Sequence, residues 1–384
     1  MGNRQPAIFC HFIPWYSLIM VKWSEIALLF LRIGSLGFGG PLALVALMEQ
    51  ECVTRKKWVK RERFEESFVF CKMLPGPLAY QMALWVGHEL RGVGGGLIAG
   101  VCFVLPAATL LFLFAKYYQF IQGLSASSWI LDGMRIGAMV IILQSVGSLF
   151  SPYRKKVTGW LYALSGALLL TLLPRWEPLI ILGGGILSVL LLKKYPDFRL
   201  KLQSVSVLLA LFWTHFKAGA LVFGTGLAIV PILEREVVTK YHWLTQKEFL
   251  DALVFGQITP GPVTTLSSFI GYQVAEGFGS LIATFGMYLP GALMILLFLP
   301  RIRSSIENKS WLVDFQRGAV PTVIGCLMAA SFGLLSGVLV DPVLRATFFV
   351  LLLIQIVWVF PAWLVILLGS CLQPILCFVV DSIL

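Results

Sequence analysis

Apolar blocks long enough to cross a lipid bilayer recur along the whole 384-residue chain, separated by short charged segments. They lie near 25–48, 64–90, 94–115, 130–149, 157–173 and 178–192, and again near 207–233, 249–274, 279–299, 312–336, 344–359 and 361–380. About 20 apolar residues span a hydrocarbon core. Inside it every backbone polar group needs an internal partner, which leaves helices or a closed barrel. A transmembrane barrel strand alternates apolar and polar residues, and these runs do not. Apolar residues make up 58% of the chain and charged residues 13%, against about 25% charged in soluble domains. The chain reads as an all-α polytopic membrane protein.

The net charge of +11 does not point to nucleic acid. Its basic residues cluster in short loops such as RKKWVKRER (55–63), RKK (154–156) and KKYPDFRLK (193–201), as the positive-inside bias of cytoplasmic loops requires. The seven cysteines are scattered without a C-x-x-C pair, so neither a disulfide framework nor a zinc site is implied. His11, His88, His215 and His242 are too dispersed for a metal site. GHEL (87–90) has Gly92 where a zinc protease motif needs its second histidine. Neither G-x-S-x-G nor a Walker A loop occurs, so no enzyme, no cofactor and no use of ATP is expected. Residues 8–23 lack a charged leader and a small-residue cleavage site. They read as an interfacial segment, or as an over-extended start with Met20 the true one, so residues 1–19 are expected to be dispensable.

The chain is an internal duplication. RIGSLGFGGPLALVALMEQE (32–51) lies over KAGALVFGTGLAIVPILERE (217–236) at an offset of 185, which also carries Pro75-Gly76-Pro77 onto Pro260-Gly261-Pro262. LIAGVCFVLP (97–106) matches LIATFGMYLP (281–290), and WILDGMR (129–135) matches WLVDFQR (311–317). Four blocks in one order make a repeat: an extension over 1–23, a first repeat over 24–205 and a second over 206–384. If all blocks cross, Lys and Arg divide almost evenly between the two sides. If each P-G-P block enters and returns to its own side, they divide about two to one, as the positive-inside rule demands. About 10–12 transmembrane segments in two inverted repeats with broken or re-entrant P-G-P helices are therefore expected. Loops 49–63, 150–156, 193–205 and 300–310 should then share the cytoplasmic side.

The P-G-P breaks suggest a purpose. Pro75 and Pro77 lack N–H donors and should end one helix near Met73 and begin another at Pro77. Free N–H groups then come from Leu78, Ala79 and Tyr80, and in the second half from Val263, Thr264 and Thr265. A helix N-terminus attracts anions, and transporters with inverted repeats set such half-helix ends at the bilayer midplane. A kink that only shapes packing is the plainer reading of one P-G-P. Two at matched positions favour a site. The glycine clusters GSLGFGG (34–40) and GALVFGTG (219–226) allow close helix packing. Arg32 and Lys217 stand at matched positions before them.

Charge inside the apolar blocks is the third signal. Asp132 and Arg135 are three residues apart, as are Asp314 and Arg317, and each pair can neutralise itself as a structural ion pair. Arg32, Lys72 and Lys217 have no carboxylate at helical spacing in their own spans. Snorkelling to an interface would explain them, but cations near half-helix N-termini point to an anionic substrate. Gln257 stands where the first half has Lys72, so the halves are not equivalent.

These motifs resemble those of the chromate ion transporter family. RIGSLGFGGPLALVALMEQE, KMLPGPLAYQMALWVG, FKAGALVFGTGLAIVPILE and FGQITPGPVTTLSSFIGY carry the resemblance, which is to the long, two-domain form. It implies export of chromate across the bacterial inner membrane, driven by an ion gradient, with sulfate as a look-alike. It places the motif residues at Arg32, Gly39, Gly40, Lys72, Pro75, Gly76, Pro77, Gly224, Pro260, Gly261 and Pro262. Thr225 departs from the pattern, standing where the first half has Gly40. With Lys217, Thr225 and Gln257 these form the expected substrate site. The rival readings are an inward sulfate or other anion transporter and an intramembrane lipid-handling protein. A homodimer is left open.

Overall fold

Two missing N–H donors force a helix to stop at each P-G-P motif and allow another to start just beyond it. In the computed structural model α1 (Trp23–Leu36) and α2 (Gly40–Glu49) come first, then α3 (Arg61–Met73) stops before Pro75 and α4 (Leu78–Lys116) starts after Pro77. Residues 21–123, 127–173, 177–190, 207–222, 226–298, 310–339 and 341–383 are described. Gly76, at φ 137°, takes a backbone shape open only to glycine, and the chain doubles back there. Arg63 near the start of α3 lies 3.9 Å from Glu89, and the Phe64 and Trp85 rings are 6.4 Å apart. A second reversal follows within α4 at Arg91 and Gly92. Gly87 and Gly95 face each other across it, and a Cβ on either would sit 2.2 Å from the other's carbonyl oxygen. The P-G-P helices are thus re-entrant hairpins.

The second half repeats the construction. After α9 (Val207–Ala220) and α10 (Val230–Glu234), α11 (Gln246–Ile258) runs to Pro260, and a single turn over Val263–Thr265 leads into α12 (Leu266–Leu293). α12 reverses at Ala275 and Glu276, with Gly271 against Gly279. The first block of each half also folds back, where the sequence reading had one crossing. Lys217 of α9 meets Glu236, just beyond α10, at 2.9 Å. An unreversed helix would hold these two positions more than 25 Å apart at about 1.5 Å per residue.

The halves are inverted. The outer ends of the first half's hairpins lie together: Glu49 pairs with Arg61 at 3.1 Å, and Arg91 Nε donates to the Val21 carbonyl at 2.7 Å. Residues 93–116 of α4 leave from this end and rise about 36 Å, enough for a hydrocarbon core of about 30 Å. They arrive among the second half's hairpins. There Gln273 Nε2 donates to the Ala115 carbonyl at 3.0 Å, and Phe112 and Phe114 pack on Tyr272 and Phe255. The two sets of hairpins open toward opposite ends of the molecule.

The remaining helices pack the halves into each other. They are α5 (Tyr118–Gln122), α6 (Ser127–Phe150), α7 (Val157–Leu172) and α8 (Glu177–Leu190), then α13 (Ser310–Val338), α14 (Pro342–Trp358) and α15 (Ala362–Ile383). α6 meets α15 at Gly133 and Gly369, and α8 meets α13 at Gly184 and Gly318, the same contact with the halves exchanged. Among the described residues four stretches are long and apolar enough to cross a membrane: Leu78–Lys116, Ser128–Phe150, Val263–Leu297 and Asp314–Ser336. Among the described residues every regular element is helical, and the protein is a multi-pass membrane protein. Residues 1–19, 193–205 and 300–309 lie outside the described residues, so their expected roles are not addressed by the fold.

Candidate functional site

The hairpin tips of the two halves bond to each other. Gly76 N–H donates to the Val222 carbonyl at 2.8 Å, and Gly261 N–H donates to the Gly37 carbonyl at 2.8 Å. The second bond is the first with the repeats exchanged. The tips sit near the middle of the long α4 segment: Gly34 packs on the Phe103 carbonyl, and Gly261 lies against Ala107.

Between the tips lies a narrow cleft. Gly40, Pro41 and Leu44 of α2, Pro77 to Ala79 at the start of α4, Gly226, and Gly261 to Thr264 before α12 line it. Helices therefore begin at this cleft from both halves, with their unsatisfied N–H groups and positive dipole ends near it. No charged side chain lines it among the described residues. The Thr264 hydroxyl is 2.7 Å from the Tyr288 hydroxyl, and the Tyr288 ring packs on Tyr80 at 4.6 Å. Gln81 braces the first tip, donating Nε2 to the Pro75 carbonyl at 2.8 Å. Its Oε1, Gln257 Nε2 and Ser267 Oγ are buried beside the tips without a hydrogen-bond partner among the described residues. Such an arrangement can hold an anion by backbone and hydroxyl donors and release it without breaking an ion pair.

The structure brings together only part of the expected site. Gly40, Pro77, Gly261 and Pro262 line the cleft, while Gly39, Pro75, Gly76 and Pro260 shape its turns. Gly224 and Thr225 lie outside the described residues. Arg32 is exposed on α1 and makes no ion pair with a described residue. Lys72 is exposed on the last turn of α3, where its carbonyl accepts from Gln316 at 3.1 Å. Gln257 is buried but does not line the cleft. Lys217, expected to be unpaired, is paired with Glu236. The partner sits on the opposite arm of the hairpin, where helical spacing cannot reveal it.

Both expected ion pairs are made, in unlike surroundings. Arg317 meets Asp314 at 2.9 Å with its guanidinium largely exposed. Arg135 contacts Asp132, yet it also gives Nε and Nη2 to the two oxygens of Asp251, each at 2.7 Å. Tyr118 donates to the same carboxylate at 2.5 Å. What read as a self-neutralising pair is one corner of a buried network joining the halves. Asp251 is the member of this network that the sequence reading does not include. A lone carboxylate inside the apolar block 249–274 was the available signal.

Inverted broken hairpins whose positive helix ends meet at mid-depth define a polytopic membrane transporter. The chromate transporter family model matches residues 24–189 and 209–373, and the chain belongs to that family. It is 33% identical to a probable chromate transport protein of Synechococcus elongatus, over 83% of this chain and 85% of the relative. It is 32% identical to the chromate transport protein of Cupriavidus metallidurans, over 86% of each. No solved structure matches the chain.

Proposed function

We propose that the protein is a secondary transporter that exports chromate, or an oxyanion of the same tetrahedral shape, across the inner membrane. The observation that carries this reading is the convergence of helix starts from both halves on one uncharged cleft at mid-depth. A divalent oxyanion presents acceptors in every direction, and N–H donors arriving from inverted helices match that demand. Chromate transport comes from the relatives named above. The direction follows an ion gradient, because the chain holds no nucleotide loop. Sulfate offers the same oxygens to the same donors, so it enters the test as a competitor.

The experiment is radiolabelled chromate flux in proteoliposomes, with and without an imposed proton gradient and with excess sulfate. Gradient-dependent chromate flux that sulfate suppresses only weakly supports the reading. Sulfate flux without chromate flux would reassign the substrate, and no anion flux at all would reject it.

A further inference from the structure

Arg32 and Glu51 begin and end the first half's repeat block, and Lys217 and Glu236 occupy the same two positions in the second half. Yet only the second pair is made. Lys217 Nζ is 2.9 Å from Glu236, which is buried and also accepts from Thr214. Arg32 is exposed, and among the described residues Glu51 pairs along its own arm, with Arg55 at 2.5 Å. The arms themselves are alike. Gln50–Arg55 and Arg235–Lys240 are both π-helical turns, Lys57 and His242 both have φ 52°, and Glu236–Lys240 reproduces Glu51–Arg55. The halves therefore differ in whether the matched cation and carboxylate join the two arms, not in how each arm is built. The next matched cations show the same imbalance. Arg135 is 8% exposed and bridged to Asp251 of α11, whereas its counterpart Arg317 is 60% exposed and, among the described residues, paired with its neighbour Asp314.

We infer that Lys217–Glu236 and Arg135–Asp251 are positioning residues that latch the second half's hairpins shut, and that Arg32–Glu51 closes in exchange when transport reverses access. This deepens the transport reading and rests on it. Two inverted copies of one sequence plan can each adopt the other's shape. Exchanging the two shapes swaps which end of the molecule is shut, while the reciprocal tip bonds stay in place between them. The buried second-half pair and the exposed Arg32 are then the two ends of one equilibrium.

The test is oxidative crosslinking of Arg32→Cys/Glu51→Cys in native membranes, in a background with Cys52→Ser, with and without Lys217→Gln. A 32–51 disulfide should form, and Lys217→Gln or Glu236→Gln should raise its yield several-fold by releasing the opposite latch. The exchanged pair Lys217→Glu/Glu236→Lys should return the yield toward the starting level, which general damage would not do. No 32–51 disulfide in any background, or a yield indifferent to the latch variants, overturns the inference. Chromate and sulfate flux are measured on the same preparations. Crosslinking that responds to the latch without anion flux would reject the substrate reading and leave the hairpin exchange standing.

Discussion

Gly261→Ala puts the meeting of the tips to a quantitative test. Gly261 has φ 101°, and holding a residue with a side chain there costs about 1–3 kcal/mol. The new Cβ would also lie 3.0 Å from the Ala107 Cβ and 3.2 Å from the Gly34 carbonyl oxygen. Neither neighbour is the far end of a flexible side chain, so the tip itself has to move. That movement strains the 2.8 Å bond to Gly37, worth about 1 kcal/mol net. Together the penalty is about 2–4 kcal/mol, which lowers the population of the native tip by a factor of about 30 or more, at tenfold per 1.4 kcal/mol. Chromate flux per mole of protein should fall by at least tenfold while the protein still reaches the membrane, and its melting temperature in detergent should drop. Gly147→Ala in α6, with nothing within 4 Å of the added atom, should be silent in both assays. Wild-type flux and melting in Gly261→Ala would refute the assignment of this tip to the site.

Asp251→Ala leaves Arg135 and Tyr118 facing an empty position in a buried network, and loss of one partner of such a pair costs about 3–5 kcal/mol; thermal melting should register it, and an unchanged midpoint would contradict the geometry. Thr264→Val keeps the shape of the cleft but removes its hydroxyl, so the concentration for half-maximal chromate flux should rise about fivefold, the worth of one hydrogen bond. Lys72→Gln copies Gln257, and because Lys72 is exposed and away from the cleft, flux should stay within about twofold; a much larger loss would return Lys72 to the substrate path. Cysteines at positions 57 and 155 should label from the same face of the membrane, since α6 returns to the end from which α4 left; labelling from opposite faces would break the inverted arrangement.

The hairpin at each P-G-P motif could be read from the sequence because two prolines remove donors on either side of a glycine, whereas the single prolines Pro106, Pro290, Pro321 and Pro374 stay inside helices. The repeat was legible for a similar reason: Pro75 to Pro77 and Pro260 to Pro262 share one offset with the glycine clusters. The fold-back of the first block was harder to see. Glycine permits a reversal without compelling one, so GSLGFGG is equally compatible with a straight, closely packed helix. The site was legible only in its backbone. N–H groups at helix starts follow from local sequence, but whether a side chain reaches them depends on which elements tertiary packing brings together. Lys217 has its partner, and Arg135 a second one beside Asp132, beyond the reach of helical spacing. Helical spacing reports only carboxylates within the same span, whereas Glu236 comes from the returning arm and Asp251 from the other half.

The reciprocal bonds at Gly76 and Gly261 bear on why two halves share one polypeptide. Alone in the bilayer, a single half would leave the Gly76 N–H and the Gly37 carbonyl bare at mid-depth, each at a cost of about 1–3 kcal/mol. It could satisfy both only by finding a second copy inserted upside down. One gene product would then have to enter the membrane in both orientations in equal amounts. Fusion guarantees that stoichiometry and removes the need for identical halves. Each tip can then drift under its own selection, as Ala79 opposite Thr264 and Lys72 opposite Gln257 already have, so that a site assembled from a symmetric plan can come to grip an ion unevenly from its two faces.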